Sequence, residues 1–139
     1  MQKNFDVTYK GNLRTNCVHL KSASSIETDA PTDNNGKGER FSPTDLVATA
    51  LCSCMLTVIG IHFEKKGIQL TDIRCDVQKI MAANPRRIDE IIINFDFGAN
   101  QFSDKEYQII HKLADTCPVS NSLSTDIKIT TNLDSFYQL

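Results

Sequence analysis

The longest uncharged run of the chain reads LVATALCSCMLTVIGIHF and covers residues 46–63. Ser42 before it is a good N-cap, Pro43 suits the first helical position, and Asp45 can complete a capping box. Beyond the other end of the run, Gly67 can take the left-handed conformation that commonly ends a helix. These signals predict one long helix with a defined start and a defined stop.

Apolar residues lie on nearly every side of this predicted helix, so we expect a buried central helix rather than an amphipathic surface helix. Its length just reaches the roughly 18 residues at which a membrane-spanning helix is considered. Polar residues within the run, among them Thr49, Ser53 and His62, weaken that interpretation. We therefore expect no association with a membrane.

The composition is that of an ordinary soluble domain. The chain has 139 residues, a net charge of −2 and a pI near 5.9, which predict one domain over residues 1–139 and give no case for a nucleic-acid partner. Residues 1–10 lack the apolar core of a secretory signal, so we expect a cytoplasmic protein. In that reducing compartment, five cysteines are more often buried, catalytic or metal-binding than part of a disulfide framework.

The sequence on either side of the central helix predicts mainly strands. Alternating apolar residues mark each strand, and glycine, asparagine or proline marks the turns. A polar loop over residues 31–41 leads into the helix. The predicted strands are 3–9, 13–20, 24–29, 71–81, 87–97 and 126–133, and two further helices are predicted over 103–116 and 118–123. This order of elements predicts a single α+β domain.

Cys52 and Cys54 lie in the middle of the central helix. Because each helical residue turns the chain by about 100°, their side chains point in different directions and cannot easily serve one site. By pattern alone both are ordinary buried cysteines. A zinc site built from one of them, Cys117 and either His62 or His111 is the alternative.

The other three cysteines have different settings. Cys17 and Cys75 fall within strand patterns, where a free cysteine is commonly a small buried hydrophobe. Cys117 precedes Pro118, where a helix is predicted to begin, and helix N-termini stabilise thiolates. Cys117 is therefore either a weak N-cap or a reactive thiol.

Two motifs suggest a family when they are taken together. The first is SPTDLVATALCSCMLTVIGI, residues 42–61, and the second is CPVSNSL, residues 117–123. The pair resembles the OsmC-like proteins, which include the organic hydroperoxide resistance enzymes. In that family Asn-Pro or Ser-Pro opens a buried helix, a cysteine follows about three turns later, and a second cysteine precedes a proline. Matched from Ser42, these cysteines fall on Cys54 and Cys117.

The resemblance implies a fold and an assembly. The expected fold is the two-layer α+β fold of that family, with antiparallel sheets packed around a long buried central helix. The expected assembly is an intertwined homodimer with two active sites at the subunit interface. The order of the predicted elements agrees with this fold over nearly the whole chain.

The resemblance also implies thiol peroxidase chemistry. The Cys54 thiolate would attack an organic hydroperoxide, releasing an alcohol and leaving a sulfenic acid, and Cys117 would condense with it to form a disulfide. An external dithiol, lipoylated protein in the best-known branch, would reduce the disulfide, so no tightly bound cofactor is expected. The alternative function is an OsmC-like protein that binds a small ligand and has little peroxidase turnover.

An apolar site disfavours a thiolate, so a cation must offset it. The family uses an arginine held by a carboxylate that directly follows the Asn-Pro or Ser-Pro. Here Thr44 occupies that position, and the candidate carboxylates are Asp45 one place later and Glu39 in the preceding loop. The candidate arginines are Arg14 in the first hairpin and Arg40 just before the helix.

Overall fold

The structure is a computed structural model, and it describes residues 2–133. Two compact units divide between Val47 and Ala48. Each predicted strand and helix has a counterpart whose bounds differ by a few residues. The elements are β1 (Phe5–Gly11), β2 (Arg14–His19), β3 (Ser25–Asp29), a 3₁₀ turn (Thr32–Asn34), α1 (Pro43–Glu64), β4 (Arg74–Ala82), β5 (Arg87–Asp96), α2 (Asp104–Asp115), α3 (Pro118–Ser122) and β6 (Lys128–Asn132).

The first unit is built on an antiparallel sheet in the order β1-β2-β3. The turn from β1 to β2 uses Gly11, Asn12 and Leu13, whose φ angles are 84°, 56° and 63°. Glycine and asparagine adopt such positive values with the least strain. The register of β2 and β3 then sets Arg14 opposite Asp29, so a cation and a carboxylate meet at one end of the sheet.

One face of this sheet carries apolar side chains that the single chain leaves exposed. The exposed fractions are 65% for Phe5, 62% for Val7 and 63% for Tyr9 on β1, and 51% for Ile26 on β3. The strand register places these side chains on one face of the sheet, because Val7 lies opposite Cys17 and Cys17 lies opposite Ile26. Contiguous exposed apolar surface of this kind commonly marks an interaction site.

The start and stop of α1 are those that the sequence predicts. Ser42 Oγ accepts a hydrogen bond from the Asp45 amide at 3.1 Å, and Asp45 Oδ2 accepts one from the Ser42 amide at 2.9 Å. This reciprocal pair is a capping box. The helix ends at Glu64, and Gly67 follows with a φ of 76°, the left-handed conformation expected of it.

The burial of α1 differs from the prediction. Its buried side chains form one stripe at helical spacing, whereas Ala50, Ser53, Thr57 and Ile61 are exposed. The expectation that the helix is buried on nearly every side is therefore wrong for the single chain. The members of the buried stripe are Ala48, Leu51, Cys52, Met55, Ile59 and Phe63.

By length and composition alone, α1 would qualify as a membrane-spanning helix. The core helix of a soluble protein meets the same criteria. Leu51, Met55, Ile59 and Phe63 are fully buried within the second unit. We therefore assign α1 as the core helix of a soluble fold.

The second unit contains a sheet in the order β4-β5-β6. β4 and β5 form the predicted antiparallel hairpin, but β6 runs parallel to β5, so one strand departs from the expected antiparallel arrangement. A parallel neighbour requires a long connection, and the residues that include α2 and α3 supply it. The central strand β5 contributes Ile91, Ile93 and Phe95 to the core, all fully buried.

The helix α2 is fixed at its start and along its inner face. Ser103 Oγ accepts a hydrogen bond from the Glu106 amide at 3.2 Å, and the Glu106 carboxylate accepts one from the Ser103 amide at 3.0 Å. The predicted capping box is therefore confirmed. Ile110 and Ala114 on the predicted inner stripe are fully buried.

An aromatic cluster joins α2 to the rest of the second unit. Phe102 packs against Phe63 of α1, Phe97 and Tyr107, with ring centroids 5.2 to 5.3 Å apart. Its edge-to-face contacts with Phe97 and Tyr107 are of the favoured kind for aromatic pairs. The cluster anchors the helix whose far end leads directly into Cys117.

Candidate functional site

Cys54 and Cys117 come from different elements of the second unit. Cys54 lies about three turns into α1, and Cys117 lies between the end of α2 and the start of α3. The Cys54 thiol acts on Cys117 and helps to raise the pKa of that residue, and both cysteines are free. The two cysteines of the sequence motifs therefore form a thiol pair.

Cys117 is fixed by its local backbone. It is the N-cap of α3, and its Sγ accepts a hydrogen bond from the Ser120 amide at 3.4 Å, so the predicted N-cap is confirmed. The residue is only 1% exposed. This burial raises the pKa of Cys117, the Ser120 amide lowers that pKa in part, and the Cys54 thiol raises it again. The net direction is upward, so Cys117 is a protonated thiol near neutral pH.

Arg14 and Asp29 form a two-pronged ion pair in the first unit. Arg14 Nε lies 2.7 Å from Asp29 Oδ1, and Arg14 Nη2 lies 2.9 Å from Asp29 Oδ2. The hydrogen bonds from Arg14 lower the pKa of Asp29, and Asp29 raises that of Arg14. The Asp29 side chain is 3% exposed and that of Arg14 is 26% exposed. The arginine is therefore held by a buried carboxylate while part of it stays accessible.

Asp29 is a carboxylate that the sequence analysis missed. Thr44 and Asp45 belong to the cap of α1, and Glu39 Oε1 lies 3.9 Å from Arg14 Nη2. Glu39 instead donates its backbone amide to Asp29 Oδ2 at 3.1 Å. The signal that identifies Asp29 is register, because a short turn between two antiparallel strands brings the start of one opposite the end of the next.

Arg40 has a weaker setting than Arg14. Its Nε lies 3.4 Å from Glu27 Oε1, and both side chains are exposed. Its Nη1 donates to the Glu39 carbonyl oxygen at 3.1 Å. Of the two candidate arginines, Arg14 has the carboxylate-held geometry. It belongs to the first unit, whereas the thiol pair belongs to the second.

The remaining cysteines are not the core residues that the strand patterns predict. Cys17 and Cys75 are half-buried, so the prediction of burial is wrong for both. Cys75 and Cys52 line the same surface groove, and Cys52 raises the pKa of Cys75. Within residues 2–133, no group of three or more histidine, cysteine, aspartate or glutamate side chains is arranged to hold a metal ion.

Comparison with known proteins identifies the family. The family model described as OsmC-like protein matches residues 36–132, a range that contains both cysteine motifs. The chain belongs to the OsmC-like family. A search of the curated proteins found no match.

Solved structures of the OsmC fold agree with this assignment. A protein from Psychrobacter arcticus, provisionally named an osmotic stress induced and detoxification response protein, is 46% identical, with a TM-score of 0.91 over 95% of this chain and 96% of that chain. An OsmC-like protein from Mycoplasma pneumoniae is 18% identical, with a TM-score of 0.74 and 95% of each chain covered. An organic hydroperoxide resistance protein from Legionella pneumophila is 14% identical, with a TM-score of 0.69 over 92% of this chain and 93% of that one. The last two show the fold alone.

Proposed function

We propose that this OsmC-like protein is a cysteine-based peroxidase that reduces organic hydroperoxides to alcohols. The observation that carries the proposal is the pairing of the Cys54 and Cys117 thiols, which interact closely enough for Cys54 to raise the pKa of Cys117. Two cysteines in contact can take up two oxidising equivalents as a disulfide, with no metal or bound cofactor. The relatives named as organic hydroperoxide resistance proteins share the fold, which is consistent with this activity.

The reaction has three steps. The Cys54 thiolate attacks the distal oxygen of the hydroperoxide, the O–O bond breaks, and the leaving alkoxide takes a proton to become the alcohol. The Cys117 sulfur then attacks the Cys54 sulfenic acid, which releases water and forms the disulfide. An external dithiol restores both thiols by two exchange steps and is itself oxidised to a disulfide. Lipoylated protein is the reductant that we propose.

The two cysteines are suited to different roles. Cys54 is half-buried, so a substrate can reach it, whereas Cys117 is 1% exposed. Burial also raises the pKa of Cys117 and keeps it protonated, and a thiol attacks peroxides much less readily than a thiolate. These properties favour Cys54 as the nucleophile and Cys117 as the resolving thiol.

An apolar strip beside Cys54 favours an organic substrate. Ala50 and Val58 lie one turn before and after Cys54 on α1, and Ile61 lies two turns after it, on the same side of the helix. Ala50 and Ile61 are exposed and Val58 is half-buried. Apolar surface next to a reactive thiol would bind the hydrocarbon part of an organic hydroperoxide.

A cation is needed to stabilise the Cys54 thiolate. Arg14 is our candidate, because its two-pronged pair with Asp29 supplies the carboxylate-held arginine that the family chemistry requires. The pair remains charged at neutral pH, as the opposite pKa shifts of its two members indicate. Fixed charge of this kind stabilises a developing anion without reorganisation.

We further propose that the protein is a homodimer and acts in the cytoplasm. The exposed apolar sheet face at Phe5, Val7 and Tyr9 supports the dimer. Contiguous exposed apolar surface of this kind commonly marks an interface between proteins.

The test uses cumene hydroperoxide and a pair of cysteine variants. With the dithiol reductant present, Cys54→Ser should lose catalytic turnover of the hydroperoxide, whereas Cys52→Ser, the matched change two residues away, should keep it. In the wild type, non-reducing peptide mass spectrometry should find a Cys54–Cys117 disulfide. Both thiols remaining free under excess peroxide would overturn the proposal. A slow, unselective thiol reaction together with a ligand retained through purification would instead favour the ligand-binding alternative.

A further inference from the structure

A second thiol pair lies on another side of α1. Cys52 is two residues before Cys54, so its side chain points about 200° away around the helix. Its side chain lines the same surface groove as that of Cys75 on β4. Cys52 is 6% exposed and Cys75 is half-buried. The second unit therefore contains two separate dithiols, each joining α1 to another element.

The sheet explains why Cys75 meets the helix. Cys75 lies opposite Phe95, and Val77 lies opposite Ile93. Directly opposed residues of antiparallel strands point to the same face, and Phe95 and Ile93 are fully buried. Cys75 therefore points to the core side of the sheet, but from β4, which is an edge strand. This edge position leaves its thiol partly accessible.

A shallow groove gives access to the pair. Its volume is about 420 Å³, and its lining includes both cysteines. Exposed Thr49, Ser53 and Thr57 lie along the helix side of the groove. A small oxidant can approach the two sulfurs from this groove, which involves neither Cys54 nor Cys117.

The interaction between them makes the two thiols chemically unequal. Cys75 lowers the pKa of Cys52, while burial opposes that change. Cys52 raises the pKa of Cys75, and burial raises it further. These directions make Cys52 the more acidic thiol of the pair. A thiolate beside a protonated thiol is the arrangement from which a disulfide forms after oxidation.

We propose that Cys52 and Cys75 form a second redox site, which a hydroperoxide oxidises to an internal disulfide between α1 and β4. The Cys52 thiolate attacks the distal peroxide oxygen, the O–O bond breaks, and the alkoxide leaves and takes a proton. The Cys75 sulfur then attacks the Cys52 sulfenic acid, and the departing hydroxide combines with the Cys75 proton as water. In total, two thiols and one hydroperoxide give a disulfide, an alcohol and water.

The geometry favours disulfide formation over other fates of an oxidised Cys52. A disulfide requires the two sulfurs to approach to about 2.05 Å, and both cysteines line the same groove. Cys52 lies in a regular helical turn and Cys75 in a regular part of the β4–β5 ladder, away from the irregularity at Ile80 and Met81. The bond would tie the edge strand covalently to the core helix.

The test distinguishes this site from the Cys54–Cys117 pair by tryptic peptides. Cys52 and Cys54 lie in the peptide of residues 41–65, Cys75 lies in 75–79, and Cys117 lies in 113–128. Wild-type protein is oxidised with tert-butyl hydroperoxide, free thiols are alkylated, and the digest is analysed without reduction. The expected product is a link between 41–65 and 75–79 that is absent from the reduced sample. A link between 41–65 and 113–128 reports the proposed peroxidase cycle instead, so the two proposals can fail separately.

A double variant tests whether the second site works without the first. In Cys54→Ser Cys117→Ser, hydroperoxide should still remove nearly all of the Cys52 and Cys75 thiol signal and produce the 41–65 to 75–79 link. Adding Cys75→Ser should abolish the link and leave Cys52 as a sulfenic acid that dimedone traps. If Cys52 and Cys75 stay alkylatable in both the wild type and the double variant, the second site does not exist. Loss of the Cys52 and Cys75 thiols without the 41–65 to 75–79 link would show unselective oxidation and would also overturn the proposal.

Discussion

The ion pair of Arg14 and Asp29 makes the stability of the protein dependent on pH. A carboxylate whose folded-state pKa is lowered, as that of Asp29 is, stabilises the fold at all pH values above its unfolded-state pKa of about 3.9. That contribution is lost as the pH falls through the lower folded-state pKa. The pair therefore contributes constantly near neutral pH and stops contributing in acid.

The first prediction concerns the charge of Asp29. Asp29→Asn should have a lower urea midpoint than the wild type at neutral pH, and the difference should shrink steadily below about pH 4, because protonation removes the same charge from the wild type. Urea unfolding over a pH series measures this. The control is Asp6→Asn, an exposed position on β1, which should follow the wild type throughout. A difference in urea midpoint that does not change with pH would mean that Asp29 acts through packing alone.

The two candidate arginines can be distinguished by activity. Arg14→Met should slow hydroperoxide reduction by about 10²-fold, which is typical for the loss of one preorganised electrostatic donor. Arg40→Met should leave the rate within a few-fold of the wild type, because Arg40 makes only exposed contacts with Glu27 and the Glu39 carbonyl. Second-order rate constants with cumene hydroperoxide measure both effects. Equal losses in the two variants would contradict the assignment of Arg14.

At the residue scale, local geometry was predictable and register was not. The 100° turn per helical residue correctly separates Cys52 from Cys54, and their thiols contact Cys75 and Cys117 respectively. Asp29 was missed because its role depends on which residue of a neighbouring strand lies opposite it. A carboxylate at a strand end carries no such information by itself.

The helix α2 gives the clearest test of whether an N-terminal capping box stabilises the helix that follows it. Removing the side chain of Ser103 deletes one half of the capping box with Glu106. Ser103→Ala should therefore cost about 1 kcal/mol of unfolding free energy, whereas Ser103→Asp, which keeps a capping acceptor, should cost only a few tenths. Urea denaturation followed by circular dichroism measures the difference. Equal destabilisation by both substitutions would show that the cap does not determine the stability of α2.

The success of sequence analysis differed between helices and strands. The starts of α1, α2 and α3 were predictable because a few neighbouring residues are enough to recognise an N-cap. The N-cap residues are Ser42, Ser103 and Cys117. The direction of β6 was not, because a strand pattern has the same alternation whether its neighbour is parallel or antiparallel. The burial of α1 was overestimated for a related reason, since apolar composition does not say which surfaces a single chain covers.

At the scale of the whole molecule, the apolar face of β1 gives a matched test of the proposed homodimer. Val7→Asp places a charge on the face that carries Phe5 and Tyr9, whereas Thr8→Asp places the same charge on the opposite face. Both positions are exposed in the single chain. Sedimentation velocity should find a dimer for the wild type and Thr8→Asp and a shift toward monomer for Val7→Asp. A dimer in both variants would remove this face from the interface.

The fold class and the family could be predicted for the molecule as a whole. The α+β class, the two sheets, the core helix and the family follow from the structure and the comparisons. The single domain over residues 1–139 stays a prediction, because the contacts divide residues 2–133 into two compact units. The cytoplasmic location and the dithiol reductant depend on partners and surroundings that lie outside a single folded chain.

The order of the two motif cysteines along the chain has a consequence during synthesis. Cys54 precedes Cys117 by some sixty residues, which corresponds to about 3 to 12 s at ribosomal rates of about 5 to 20 residues per second. The strand β6 follows Cys117 in the chain and pairs with β5, so it is made later still. Throughout this interval a Cys54 sulfenic acid would lack the resolving thiol that the proposed cycle assigns to it. Cys117 could protect Cys54 from overoxidation only after its own part of the chain has been made.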